Sequence, residues 1–229
     1  MNCKFRVFRV TNDRESCKMF KEGYENVLKE YELSQHSLDN MVWMQNPNVY
    51  CVVAELPAEN KMIGGVRLQV SDNLHPLNLE MAVGKMNKMI SKMVDHYRNT
   101  GGVAEVDALW HSKRMGGSGI SILLLRSAVS LFEQLKVNTL LALCADYSLD
   151  KYYEAGFREP AALVGQCNYP YPTQYYSAKL VGVENPEILR DAETLNRERI
   201  RSLWNYPKQS TVELAGDREL EVTYDLLIA

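Results

Sequence analysis

The sequence predicts an α/β fold in which helices flank a mixed, mostly antiparallel central sheet, as three observations indicate. Short strand patterns alternate with helical stripes along most of the chain, an order typical of such domains. Of the 229 residues, 46% are hydrophobic, which is ample for one large core. The run 138–145 is continuously apolar, as expected of a strand that is covered on both faces.

The first part of the chain predicts three strands and two helices. Asp13 is a suitable N-cap for the first helix, because its carboxylate can accept hydrogen bonds from amides of the first turn. The short connection 57–60 predicts that the second and third strands form a hairpin. In order, we expect a strand at 3–10, helices at about 14–31 and 38–44, and strands at 49–56 and 61–70.

A methionine-rich segment, residues 81–93, follows a loop at His75–Pro76. From Lys85 its apolar residues recur at helical spacing, and this stripe stops at Gly101–Gly102. Methionine side chains adapt to flexible apolar ligands. Two interpretations therefore remain open: a helix that packs its stripe on the sheet, and a helix that covers a pocket for an apolar ligand.

The remainder of the main domain predicts alternating strands and helices. Gly156 is a suitable C-cap for a short helix, because glycine adopts left-handed backbone angles without strain. We expect a strand at Val103–Trp110, a helix at about 117–136, a strand at 138–145, a short helix at about 148–156, an extended segment from Phe157 and a strand at 173–181.

We expect residues 1–183 to form this domain and residues 184–229 to form a C-terminal extension packed on it. A charged helix at about 187–204 precedes two alternating runs, 211–214 and 219–227, around a glycine-containing turn, which predicts a β-hairpin. Open strand edges often pair with a second chain. A homodimer contact and a lid over a substrate are both open interpretations of the extension.

Composition excludes several classes of function. A net charge of −3 provides no overall attraction to nucleic acid or to an anionic membrane. No N-terminal segment resembles a signal peptide, and no apolar stretch approaches the roughly 20 residues of a membrane span. Five scattered cysteines suit reduced thiols, and four distant histidines show no metal-ligand spacing. We therefore expect a cytoplasmic protein without a metal.

A glycine cluster lies between the strand at 103–110 and the long helix. Gly117 and Gly119 allow a ligand to approach the backbone closely, and successive amides at a helix N-terminus can converge on one anion. The pattern fits neither the P-loop nor the dinucleotide fingerprint, and an ordinary tight turn is the alternative interpretation. The candidate ligand-binding residues are Arg114, Met115, Gly116, Gly117, Ser118, Gly119 and Ile120.

This R-x-x-G-x-G loop, with the Y-x-x-x-G-F sequence at 152–157, resembles the GNAT acyltransferase superfamily over about residues 3–181. The resemblance implies a co-substrate that is acetyl-CoA or another acyl-CoA, with its diphosphate on the loop. It implies that the pantetheine arm lies between strands 104–110 and 138–145. It also implies that a backbone N–H near Leu109 polarises the acyl carbonyl, and that an amine attacks directly.

Three side chains are candidates for the acid–base chemistry of such a reaction. Tyr152 matches the family tyrosine that protonates the departing thiolate. Glu105 and Asp107 alternate on one strand face, about 7 Å apart, where burial and mutual repulsion raise at least one carboxyl pKa. We favour Glu105 as the base over Asp107. An ion pair with Arg67 of the neighbouring strand is the alternative.

Two positions depart from the family pattern: Ala145 stands where many relatives have asparagine, and His111 where proline is common. His111 is either a second base or a hydrogen-bonded bystander. A narrower similarity, to autoinducer synthases and N-acyl amino acid synthases, rests on residues 65–68, residues 75–77 and Glu105. That similarity implies a longer acyl chain, delivered by CoA or by an acyl carrier protein.

The sequence thus predicts an acyl-CoA-dependent N-acyltransferase, foremost an N-acetyltransferase acting on a small-molecule amine. A long-chain N-acyl amino acid or autoinducer-type synthase is the first alternative. A domain that binds acyl-CoA as a sensor without catalysis is the second.

Overall fold

The computed structural model describes residues 2–30, 41–215 and 218–228, and it confirms the predicted α/β fold. Its strands are β1 Asn2–Arg9, β2 Val49–Leu56, β3 Lys61–Val70, β4 Val103–His111, β5 Thr139–Ala145, β6 Asn168–Pro170, β7 Ser177–Glu184, β8 Lys208–Ala215 and β9 Arg218–Asp225. Its α-helices are α1 Arg14–Glu30, α2 Asn78–Val83, α3 Lys88–Thr100, α4 Ile120–Ser130, α5 Leu149–Glu154 and α6 Thr194–Asn205.

The strands form one sheet in the order β6-β7-β5-β4-β3-β2-β1-β9-β8. The β4–β5 and β1–β9 pairs are parallel, and the other pairs are antiparallel. Side chains alternate across a strand, and the core accordingly covers both faces: Tyr50 and Val52 of β2 pack on the α4 side, while Cys51 and Val53 pack on the α1 side.

The C-terminal extension continues the sheet, because β9 pairs with β1 from Asn2 opposite Glu221 to Arg6 opposite Asp225. The outermost strand β8 then pairs with β9, which confirms the predicted hairpin. Whether the hairpin contacts a second chain or covers a substrate stays a prediction.

A buried polar network also holds the extension to α4. The Arg126 guanidinium donates to Glu213 Oε2 at 2.9 Å and to Asn196 Oδ1 at 2.6 Å. The Arg126 and Glu213 side chains are only 4% and 3% exposed. Tyr224 donates its hydroxyl hydrogen to the other Glu213 oxygen at 3.2 Å. Arg126 and Glu213 thus form a buried ion pair, and the Arg199 Nε atom lies 3.6 Å from the same Glu213 oxygen.

Helix boundaries differ from the predictions for local physical reasons. Gly117 and Gly119 have φ angles of 72° and 69°, which no α-helix accommodates, so α4 begins at Ile120 and not at 117. The Asn87 side chain accepts the Met89 N–H and caps α3, which therefore begins at Lys88. The helix predicted at 38–44 lies partly outside the described residues, and residues 41–45 form a 3₁₀ turn.

The methionine-rich segment packs its apolar stripe on the sheet. Ile90, Met93 and Val94 are buried in a cluster with Leu141 of β5 and Leu180 of β7. The remaining methionines face outward: Met81, Met86 and Met89 are 60%, 55% and 44% exposed. The structure therefore supports the packing interpretation for this segment.

We expect two ion pairs that involve the β8–β9 hairpin to contribute unequally to the free energy of unfolding. Glu213→Gln preserves shape but leaves Arg126 buried without a counter-charge, and we expect a loss of about 3–5 kcal/mol in unfolding free energy. Asp225→Asn removes the partner of Lys208, in a pair whose side chains are 40% and 60% exposed. That change should cost about 0–1 kcal/mol. Urea unfolding measures the stability of both variants. Equal losses would contradict the larger contribution that we expect from the buried Arg126–Glu213 pair.

Candidate active site

Strands β4 and β5 part midway along their length. Their parallel pairing covers residues 103–105 of β4, although β4 continues to His111 and β5 to Ala145. Just beyond the last pair, Ala108 has a φ angle of 45°, and the β3–β4 register shifts between Gly65 and Arg67. Strand β4 has one more residue than β3 across this shift, which makes a bulge in β4. A bulge bends its strand. The two strands therefore leave a gap between them.

A cavity of about 690 Å³ occupies this gap. That volume lies within the range of small-molecule sites. The walls come from several elements, including Tyr24 and Leu28 of α1, Leu109 of β4, Leu143 of β5 and Tyr152 of α5. The parted strands thus bring residues that are distant in sequence around one space.

The glycine turn opens into the same cavity through Gly117 and Gly119. The Gly116 and Ser118 amides donate to carbonyl oxygens within the turn, at 2.9 and 3.0 Å. Four further amides donate to no acceptor among the described residues: those of Gly117, Gly119, Ile120 and Ser121. These four donors stand at the positive end of α4, where an anion is stabilised.

Arg114 makes a different contact from the one expected of a phosphate ligand. Its guanidinium donates to both Glu59 oxygens, at 2.7 and 2.9 Å, and its side chain is 60% exposed. Arg114 is not part of the cavity wall. Exposed pairs of this kind contribute little free energy and exchange partners readily, so a role for Arg114 in ligand binding stays a prediction.

Tyr152 lies in the cavity wall. Its ring packs edge-on against Phe157, with the centroids 5.2 Å apart, and only 3% of the residue is exposed. Burial raises the pKa of the Tyr152 phenol well above its ordinary value. The neighbouring Tyr153 lies against the Arg158 guanidinium, outside this cavity. Tyr152 therefore keeps its proton, which is the state that a general acid requires.

Glu105, which the sequence favoured as the base, is not part of the cavity wall. Its two oxygens accept the Leu79 N–H at 3.0 and 3.2 Å, at the start of α2, and the residue is 2% exposed. Burial, and secondarily the Asp107 charge, raise the Glu105 pKa well above its ordinary value. The structure thus places Glu105 as a cap on α2; its predicted catalytic role remains to be tested.

Asp107 does line the cavity and forms the ion pair with Arg67. Arg67 Nε and Nη2 donate to its two oxygens at 2.7 and 2.6 Å, and Asn78 Nδ2 adds a third bond at 2.6 Å. The Arg67 guanidinium also lies 5.2 Å from the Trp43 ring centroid. The alternative of an Arg67 ion pair therefore applies to Asp107 and not to Glu105.

Cys144 of β5 adds a thiol to the wall. Burial raises the pKa of this thiol to about 12, and its hydrogen points to the Lys179 carbonyl oxygen at 3.5 Å. A protonated thiol is a poor nucleophile. The cavity therefore offers no activated cysteine for a covalent acyl-enzyme.

Sequence reasoning did not place several wall residues at the cavity. Leu195, Asn196 and Leu214 of the extension and Tyr171 of the loop after β6 line it. No local pattern marks them, because they reach the cavity only through long-range pairing of the sheet. Tyr24, which also lines the cavity, lies in α1, within the helix predicted at about 14–31.

The described part of the chain contains no cluster of three or more His, Cys, Asp or Glu side chains that could hold a metal. Among those same residues no helix is long and apolar enough to cross a membrane. All five cysteines are free and buried.

No protein-family model and no curated protein matches the sequence. Solved structures share the fold. FeeM, an N-acyl amino acid synthase from uncultured soil microbes, has a TM-score of 0.59 at 14% identity, over 86% of this chain and 98% of its own. BjaI, a CoA-dependent acyl-homoserine lactone synthase, has a TM-score of 0.55 at 10% identity, over 97% and 94%.

An acyl-CoA N-acyltransferase from Pseudomonas aeruginosa has a TM-score of 0.56 at 10% identity, over 80% of this chain and 99% of its own. These likenesses confirm the predicted GNAT-like fold.

The position of Glu105 predicts a pH-dependent loss of stability. Because its folded-state pKa is raised above its ordinary 4.5, its contribution to stability is full below that pH and is lost as pH rises toward the folded-state pKa. Glu105→Gln keeps an oxygen for the Leu79 N–H and cannot ionise. We expect this variant to lose less stability than the wild type between about pH 5 and pH 8.

Chemical denaturation across this pH range measures the difference. Replacement of the exposed Glu198 by Gln is the matched control and should follow the wild-type curve. A Glu105→Gln curve parallel to that of the wild type would show that this carboxyl is not held protonated in the folded protein.

Proposed function

We propose that this protein is an acyl-CoA-dependent N-acyltransferase, which moves an acyl group from a CoA thioester to an amine by direct attack. One observation carries the proposal: a turn with four available amides, a gap between parted strands and the Tyr152 phenol all line a single cavity. These are the parts that bind a diphosphate, admit a pantetheine arm and protonate a thiolate.

The turn fits the donor's diphosphate. A Cβ built on Gly117 would meet no atom within 4 Å, so this side of the turn is open to a ligand. Four amides and the positive end of α4 then supply donors and partial charge without a bound cation. The pantetheine arm would lie along the gap, between Leu109 of β4 and Leu143 of β5.

Other side chains of the same cavity suit an amine acceptor. Asp107 supplies a carboxylate that would attract the ammonium form of the acceptor, and Arg67 with Asn78 holds it in place. Tyr152 would donate its proton to the thiolate as the carbon–sulfur bond breaks. Because the Cys144 thiol is held protonated, direct attack by the amine is favoured over a covalent acyl-cysteine.

We propose acetyl as the acyl group, with a longer acyl chain as the second candidate. The second candidate is supported by FeeM and BjaI, which share the fold and are synthases of acylated amino acids and lactones. Thiol release from acetyl-CoA and from palmitoyl-CoA, with a panel of amines and amino acids, distinguishes the two. If the protein binds both acyl-CoA donors but releases no thiol with any acceptor, it is instead a sensor.

The glycine turn predicts a specific loss of donor binding. Gly117→Ala places a methyl group in the path of the diphosphate, and we expect CoA affinity to fall at least about tenfold. Gly165 is the matched control. Its φ angle of 78° is close to the 72° of Gly117, and a Cβ built on it likewise meets no atom within 4 Å, so alanine should cause the same backbone strain. Gly165 does not line the cavity. Isothermal titration with CoA measures both variants.

Gly165→Ala should therefore bind CoA with the affinity of the wild type. Equal affinities for all three proteins would remove the turn from the donor site.

We expect substitution of Tyr152 to slow turnover without weakening the binding of CoA. Tyr152→Phe removes only the hydroxyl group, and we expect kcat to fall about 10²-fold, since this is the usual scale of general acid catalysis. The Kd for CoA should stay within about twofold, because the ring remains in the wall. Tyr153→Phe is the control, and thiol release is the assay. Equal turnover in the two variants would exclude Tyr152 as the acid.

A further inference from the structure

His111 is the last residue of β4 and lies in the cavity wall beside the glycine turn. It is paired across the sheet with Gly64 of β3, which fixes the position of its backbone. Its Nδ1 atom lies 3.1 Å from the Ser112 carbonyl oxygen. The imidazole is therefore held by a short local contact at the cavity edge.

This contact fixes the tautomer of the neutral imidazole. A carbonyl oxygen only accepts hydrogen bonds, so the hydrogen of a neutral His111 must be on Nδ1. Nε2 then carries the lone pair. No other polar contact of His111 exists among the described residues. The free lone pair is thus on the ring atom that Ser112 does not occupy.

The two carboxylates of β4, Glu105 and Asp107, are less suited to accept a proton. Both Asp107 oxygens already accept bonds from Arg67, and one of them accepts a third from Asn78. Glu105 stands outside the cavity wall with its oxygens on the Leu79 N–H. A carboxylate whose oxygens already accept hydrogen bonds has fewer lone pairs free to take a proton from an amine.

We propose that His111 Nε2 is the base that removes the proton from the attacking amine. The inference rests on the proposed N-acyltransferase function and deepens it, because it names the group that the carboxylates leave unassigned. Asp107 then positions the acceptor through its charge, and Glu105 caps α2.

The proton balance closes with these groups. The acceptor's ammonium group first releases one proton to solvent. The resulting neutral amine forms a carbon–nitrogen bond to the acyl carbonyl, and His111 Nε2 takes the second proton that the nitrogen must lose. The carbon–sulfur bond breaks, and Tyr152 gives its proton to the departing sulfur. His111 returns its proton to Tyr152 through solvent. The products are an amide and a free thiol, with no oxidant or further reactant.

The test compares steady-state thiol release by full-length wild-type, His111→Gln and His111→Ala proteins with acetyl-CoA and the best amine found. We expect both variants to lose about 10²-fold in kcat, with the KM for acetyl-CoA within about threefold of the wild type. Added imidazole should restore at least about tenfold of the loss in His111→Ala and none in Tyr152→Phe. His96→Gln, on the exposed surface of α3, is the control.

Two failures are distinguishable. A wild-type protein that releases no thiol from any donor and acceptor would overturn the proposed function itself. A wild type that is active beside a His111→Gln variant of equal kcat would overturn only the role of His111. A loss of kcat in His111→Ala that imidazole does not restore would assign His111 a structural role and likewise overturn the inference.

Discussion

The bulge at Ala108 is the constraint on which the site depends. The β4–β5 pairing ends after Glu105, and residues 107–111 of β4 and 143–145 of β5 line the gap beyond it. A gap in a central sheet exposes backbone groups that must find partners elsewhere. A ligand with amide and carbonyl groups along its length, such as a pantetheine arm, would satisfy that need. The fold would thus set both the shape and the polarity of the proposed donor site.

Two buried ion pairs keep the walls of this gap in place. Arg67 and Asp107 join β3 to β4 directly beside the bulge, and Arg126 and Glu213 join α4 to β8. Each pair is costly to break, because a single buried charge has no water to solvate it. The C-terminal extension therefore acts as part of the same body, and it supports the helix whose first turn faces the proposed diphosphate.

Local patterns predicted much of this arrangement. Strands β2 and β3 have the boundaries expected from their apolar runs, and the glycine turn with the tyrosine after β5 led to the cavity. The sequence did not reveal α2, which is six residues long and lacks a stripe, so the hydrogen bond from the Leu79 N–H to Glu105 was not predicted. Leu195 and Leu214 reach the cavity through pairing between distant strands, which no local pattern encodes.

Titration of ¹⁵N-labelled protein with CoA, followed by NMR, tests the central claim most directly, because it reports on each amide separately. We expect the Gly117, Gly119 and Ser121 signals to shift as CoA is added, since the diphosphate accepts hydrogen bonds from these donors. The Gly165 signal should stay unchanged. If CoA binds and shifts other signals while those three remain in place, the glycine turn does not hold the donor.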